Sequence, residues 1–173
     1  LEEYLNLRAY AYEALGRYEE AIADIERLKP YDDLFNRTKY EWLAILKEHI
    51  GDNDGALDEL NHAISLESET APVSYQTFFQ RGRVHEKLGQ FREAIQDFTA
   101  AIELESKHVH ADPPVQAMIF HSWRGKAYLA LNDLDNAYQD FTYIVSQSGP
   151  TIGWTIKVDA QKLIDEINIR KGG

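Results

Sequence analysis

Cysteine is absent from this 173-residue chain, and with it go disulfides, thiolate nucleophiles and thiolate metal sites. That fits a reducing compartment such as the cytoplasm without demanding one. No apolar run approaches the roughly 20 residues that a membrane-crossing helix needs, so membrane insertion is not expected. Basic residues are scarce beside acids, 18 against 29, for a formal charge of −11. A surface of that sign repels nucleic acid and anionic lipid unless a basic patch is segregated locally. The chain begins at Leu1, holds a single methionine at Met118 and shows no signal peptide; the expectation is a segment excised or processed from a longer protein. Neither a Gly-rich phosphate loop nor an HExxH motif occurs, so neither catalysis nor a cofactor is expected.

What the sequence does contain is repetition. From Gly89 to Ser106, GQFREAIQDFTAAIELES places Phe91, Ala94, Ile95, Phe98, Ala101, Ile102 and Leu104 on one stripe of helical period. With the apolar pattern that ends at Leu88, it reads as helix, short turn, helix. The same unit recurs at Gly16, Gly51 and Asn132. Ala21, Ala56, Ala94 and Ala137 correspond, as do the larger Ile25, Leu60, Phe98 and Phe141, at spacings of 35, 38 and 43. Two-helix repeats of that length indicate a solenoid. Upstream of each turn a helix carries a small residue in phase with the others: Ala9, Ala44, Gly82 and Gly125.

On these residues the chain resembles the tetratricopeptide repeat family, over about Glu2 to Gln147. The match is closest in the third repeat and loosest in the second, where Lys47 and Asn53 stand at positions the family usually fills with apolar residues. The expected fold is therefore all-α: a right-handed superhelical α-solenoid of helix-turn-helix repeats in one domain, 1–173. Its repeats span about 2–30, 37–69, 74–107 and 113–147, followed by a capping helix at 151–170. The third helix is read from Lys39 to Ile50; Tyr31 to Thr38 departs from the strict repeat, although Tyr31, Leu34 and Phe35 could pack as an extra turn at its start. Leu163, Ile164 and Ile167 should cover the last repeat, and Trp154 is assigned to the same cap, with an exposed binding tryptophan as the other reading.

In arrays of this kind the first helices of successive repeats line a concave groove. The resemblance carries that role to Tyr10, Trp42, Gln80, Arg83, Lys87, Trp123 and Lys126, with Asn6, Glu13, Glu48 and Glu86 on the rim. Some family members clamp a terminal carboxylate with lysines and asparagines, but Leu7, Tyr10 and Trp42 stand where asparagines would be needed, and Arg83 alone partly corresponds. Trp42 and Trp123 lie off the stripe assigned to packing within a repeat, which leaves both a binding role and simple packing open. Glu3, Glu13, Glu41 and Glu48 precede Arg83, Lys87 and Lys126. A partner with separated basic and acidic ends would suit that order.

Other candidates have plainer readings. Arg8, Arg81 and Arg124 recur just before the small residues, and Asp24, Glu59, Asp97 and Asp140 recur before the large ones, which marks both sets as parts of the repeat. His85 occupies a packing position. His108 and His110, flanked by Glu105 and Asp112, form the one metal-like cluster, yet no stoichiometric metal is expected in so irregular a segment. Asn36-Arg37-Thr38 is a glycosylation sequon without a secretory context. The expected function is recognition of a peptide or protein segment. The rival is a structural or self-association module, in which Trp42, Trp123 or the last helix packs against a second copy, as in a homo-oligomer, or against another domain of the parent protein.

Overall fold

The structure is a computed structural model and describes residues 2–29, 32–68, 72–107, 115–147 and 153–172. Nine helices occur among these residues: α1 (Glu2–Ala14), α2 (Tyr18–Glu26), α3 (Asp33–His49), α4 (Asn53–Ser65), α5 (Tyr75–Lys87), α6 (Phe91–Glu105), α7 (Val115–Ala130), α8 (Leu134–Ser146) and α9 (Trp154–Gly172). The first eight form four helix-turn-helix pairs. Gly16, Gly51, Gly89 and Asn132 end the first helix of each pair at φ of 71°, 81°, 73° and 58°. The next residue then turns its N–H back to a carbonyl five positions earlier, as from Arg17 to Tyr12 and from Asp133 to Tyr128, at 2.8 and 2.9 Å. These bonds satisfy carbonyls that the helix end would leave open.

Four helix starts, those of α3, α4, α5 and α8, are fixed by short polar side chains. Asp52, Ser74 and Asp133 accept from the backbone N–H of Gly55, Thr77 and Asn136. Asp32 does the same for Phe35 at 2.6 Å, so α3 begins at Asp33 rather than at Lys39. The extra turn that the sequence allowed with Leu34 and Phe35 is thus part of α3, while Tyr31 lies outside the described residues.

Within each pair a small residue meets a large one 16 positions later. A Cβ added to Gly82 would stand 2.7 Å from the Phe98 ring, and one added to Gly125 would stand 2.9 Å from Phe141. The first two repeats have Ala9 with Ile25 and Ala44 with Leu60 at these positions, and all four residues are buried. One extra methyl on the near helix accompanies a smaller partner on the far one, as close packing requires.

A second link also spans 16 residues. Arg8, Arg81 and Arg124 each pair through Nε and Nη2 with both oxygens of Asp24, Asp97 and Asp140, at 2.5 to 3.0 Å. These aspartates are almost fully buried. In the second repeat Leu43 replaces the arginine, and Lys47 reaches Glu59 instead. The apparent defect at Lys47 is therefore a substitute clip from one turn further along.

The chain forms two compact units, Leu1–Val73 and Ser74–Gly173. In the first, Leu5, Ala9, Ala21, Ile25, Leu28, Leu43 and Leu46 build the core. In the second, Phe98 with Ala94 and Ala127 forms one cluster, and Met118, Phe141 and Ile144 meet α9 through Ala160, Ile164 and Ile167. The last helix thus buries Ala160, Ile164 and Ile167 against α7 and α8. Trp154 differs from expectation, being 67% exposed.

Candidate functional site

Each unit carries one aromatic focus on its first helices. In the Leu1–Val73 unit, Tyr10 of α1 stacks on Trp42 of α3 with centroids 4.3 Å apart and planes 27° apart. Trp42 packs against the core margin while its indole Nε1–H donates to Glu13 at 2.7 Å, which gives a half-buried tryptophan the partner its N–H needs. Tyr10 remains 57% exposed. Beside the stack lies a hollow of about 180 Å³ lined by Asn6, Tyr10, Leu28, Phe35, Thr38, Lys39 and Trp42. Lys39 turns its ammonium to the Leu28 carbonyl at 2.8 Å and the Glu26 carbonyl at 3.5 Å, which neutralises the carbonyl end of α2.

In the Ser74–Gly173 unit the focus is Trp123 of α7. It packs edge-on to Phe79 at 6.1 Å and obliquely to Phe98 at 6.3 Å. Above its ring stand two cations, Arg83 of α5 at 5.5 Å and Lys126 at 5.6 Å from the centroid. Cations over an indole face are held by its negative quadrupole. Glu86 lies in the field of both: burial pushes its carboxyl above the ordinary value, while Lys126 and Arg83 oppose the shift. The charge of the cationic cluster is therefore partly balanced by the Glu86 carboxylate.

Of the residues singled out from sequence, Tyr10 and Trp42 come together, and so do Arg83, Trp123 and Lys126. Gln80 is half-buried and Lys87 exposed on α5. Trp42 and Trp123 are half-buried rather than freely projecting, so both take part in packing. Leu28, Phe35, Thr38 and Lys39 also line the hollow, although they are not among the groove positions that the resemblance suggests. The sequence allows an extra turn with Phe35 ahead of Lys39 without fixing it; the Asp32 cap three residues before Phe35 is the signal that does.

The remaining candidates are engaged structurally. His85 contacts Gln90 at 2.6 Å and Asp97 at 3.7 Å. His121 contacts Asp140 at 2.7 Å and stacks on Tyr143 at 3.9 Å. His49 and His62 stack on Tyr18 and Tyr40. No group of three His, Asp or Glu able to hold a metal ion occurs among the described residues; His108, His110 and Asp112 lie outside them. The sequon falls in α3, where Arg37 is buried and donates to the Pro72 carbonyl. No described helix is long and apolar enough to cross a membrane.

Two family models, each described as tetratricopeptide repeat, match residues 79–151 and 2–29. No curated protein matches the chain. Among solved structures, MamA 41-end from Desulfovibrio magneticus RS-1 is similar with a TM-score of 0.75 at 15% identity, covering 99% of this chain and 85% of that one. The putative kinesin light chain TPR-like repeats of Podosopora anserina give 0.76 at 14% identity, covering 98% and 86%. A tetratricopeptide repeat protein from Parabacteroides merdae gives 0.78 at 18% identity, covering 98% of this chain and 60% of its own. At such identities the likeness is one of fold.

Proposed function

Since the chain belongs to the tetratricopeptide repeat family, we propose that it works by noncovalent recognition of a peptide or protein segment through the first helices of its repeats. One observation carries this reading: each unit holds an aromatic focus beside charge, an indole on Glu13 in the first and an indole under Arg83 and Lys126 in the second. Formal charge supports a direction. The Leu1–Val73 unit has 17 acidic and seven basic residues, a net of −10, and the Ser74–Gly173 unit has 12 and 11, a net of −1. The partner offers basic residues to the first unit, and acidic residues or a carboxylate to the second. Aromatic anchors supply affinity, and charges mainly set orientation and encounter rate.

Partner affinity measured over a salt series tests this. Arg83→Glu with Lys126→Glu should weaken binding of a natural partner most at low salt, with the deficit shrinking as salt rises. Trp123→Ala should weaken it at every ionic strength, by about 1 to 4 kcal/mol if the indole is a hot spot. Because Trp123 also packs on Phe79 and Phe98, its variant must first be shown to retain wild-type helicity. Unchanged binding in both variants, or a footprint confined to the second helices, would remove the reading. A second reading, self-association, is favoured by the 67% and 76% exposure of Trp154 and Ile169 on α9. A dimer mass in solution that reverts to monomer in Trp154→Ser with Ile169→Ser would establish it.

A further inference from the structure

The first helix leaves open a side that the array buries in α3 and α7. Tyr4, Ala11 and Leu15 fall on one stripe of α1, with Leu7 at its border, and all four are exposed. In register with the stripe stand Lys39, Leu46 and Ile50 on α3, and Phe120, Ala127 and Leu131 on α7. There the second helix of the preceding repeat supplies the cover. Ala21, Ile25 and Leu28 of α2 share a core with Leu46, and Ala94 and Phe98 of α6 share one with Ala127. Leu46 and Ala127 are fully buried, and Ile50 and Leu131 are each 40% exposed against 72% for Leu15. An uncovered face of a repeat array needs polar side chains to stay in solution; α1 instead shows an interior surface of the stack.

The last helix has a matching open side. Its inner side enters the core through Ala160, Ile164 and Ile167, and on the opposite side Trp154 and Ile169 stand well exposed. We propose that this side of α9 docks on the open side of α1 in a second copy, so that the stack of helices continues from one molecule into the next. This rests on the self-association reading above and names the surface that α9 meets.

Size selects α1 over a second α9. Within the repeats a small residue on one helix receives a large one from its neighbour, as Gly82 receives Phe98, and close packing requires that match. Ala11 and Ala14, both exposed and one turn apart, give the Trp154 ring such a place. The outer side of α9 holds Val158, Lys162 and Asp165 between Trp154 and Ile169, with no alanine or glycine to receive an indole. Charge points the same way. α1 has three acidic residues and one basic, a net of −2, while α9 has four basic and three acidic, a net of +1. Pairing α1 with α1 would press together two units of net −10, whereas α1 with α9 joins opposite signs. Because the contact uses different patches on the two molecules, it does not end at two copies: further ones add until a ring closes or the chain stays open.

Sedimentation of the full chain over a concentration series at one moderate salt concentration tests this. Wild type should grow from monomer through dimer to larger species. Ala11→Lys with Leu15→Lys alters two exposed positions outside the aromatic foci and the arginine–aspartate clips, and Trp154→Ser with Ile169→Ser alters the outer side of α9. Each double variant should be monomeric at every concentration. Their equimolar mixture should stop at a dimer, since α9 of the first can meet α1 of the second and no further contact can follow. Wild-type helicity by circular dichroism is required of both; if the α1 pair misfolds, Ala11→Lys alone should weaken association about tenfold, the scale of one interface anchor. A wild type that stays monomeric overturns the proposal and the self-association reading together, as does an oligomer that survives the α9 changes. A dimer lost with the α9 changes but kept with the α1 changes overturns the proposal alone, because α9 then pairs with itself. A mixture that stays monomeric also overturns it.

Discussion

At the scale of single residues, the pairing of small with large side chains decides how closely two helices approach. Gly82 leaves room for Phe98, whereas Ala44 goes with Leu60. Changing Gly82 to alanine gains about 1 kcal/mol in helix propensity, but overpacking of a close contact costs about 1 to 3 kcal/mol. With the new Cβ only 2.7 Å from the ring, overpacking should win and Gly82→Ala should unfold at lower urea. Phe98→Leu alone should destabilise through the cavity it opens. The double variant recreates the pair of the second repeat and should be more stable than the two separate losses predict. Simple additivity in the four-member urea cycle would show that the methyl and the ring do not compete. This complementarity was half legible beforehand: the recurrence of small and large positions stood in the sequence, but their matching in size appears only once the 16-residue partners are seen in contact.

At the scale of helix pairs, the recurring arginine–aspartate clip joins the first helix to the second. The arginine's hydrogen bonds to Asp24, with its charge and that of Arg27 behind them, hold the Asp24 carboxyl below the usual range against the opposing effect of burial. A carboxyl depressed in the folded state contributes stability above its unfolded value of about 3.9, and that contribution is lost as pH falls through the lower folded value. Asp24→Asn should therefore lower the urea midpoint near neutral pH, and the gap from wild type should close as pH drops below about 4. A gap that stays constant down to the acid transition would mean that Asp24 acts by shape rather than by charge. Periodicity marked these acids and arginines as structural because they recur with the packing residues. It did not show Lys47 substituting for the arginine, since a clip displaced by one turn breaks the repeat pattern while preserving the contact. The added length of α3 was legible only as an option, because its cap at Asp32 precedes the apolar phase that marks the rest of the helix.

At the scale of the whole chain, the acidity visible in the composition is nearly all in one unit, −10 against −1. Repeat arrays gain stability from neighbour to neighbour, so the two units need not respond alike to a change of conditions. Like charges on a compact unit repel one another, and salt relieves that repulsion: between about 0.01 and 1 M the Debye length falls from about 30 to about 3 Å. The buried clips are screened much less than the exposed acids, so added salt should remove more repulsion than attraction from the Leu1–Val73 unit. The Ser74–Gly173 unit, nearly neutral, has little repulsion to lose. Trp42 and Trp123 each sit at the core margin of their own unit, which makes them separate reporters, and Trp154 can be removed by Trp154→Phe at its exposed position. With 5-fluorotryptophan at both sites, urea unfolding followed by ¹⁹F resonance should show the Trp42 midpoint rising with sodium chloride by more than the Trp123 midpoint. Sodium chloride, rather than sulfate, keeps surface-exclusion effects that would stabilise both units out of the comparison. Coincident midpoints moving together at every salt concentration would mean that the chain unfolds as one cooperative body. A Trp42 midpoint that falls with salt would mean that ion pairing, not repulsion, dominates the acidic unit.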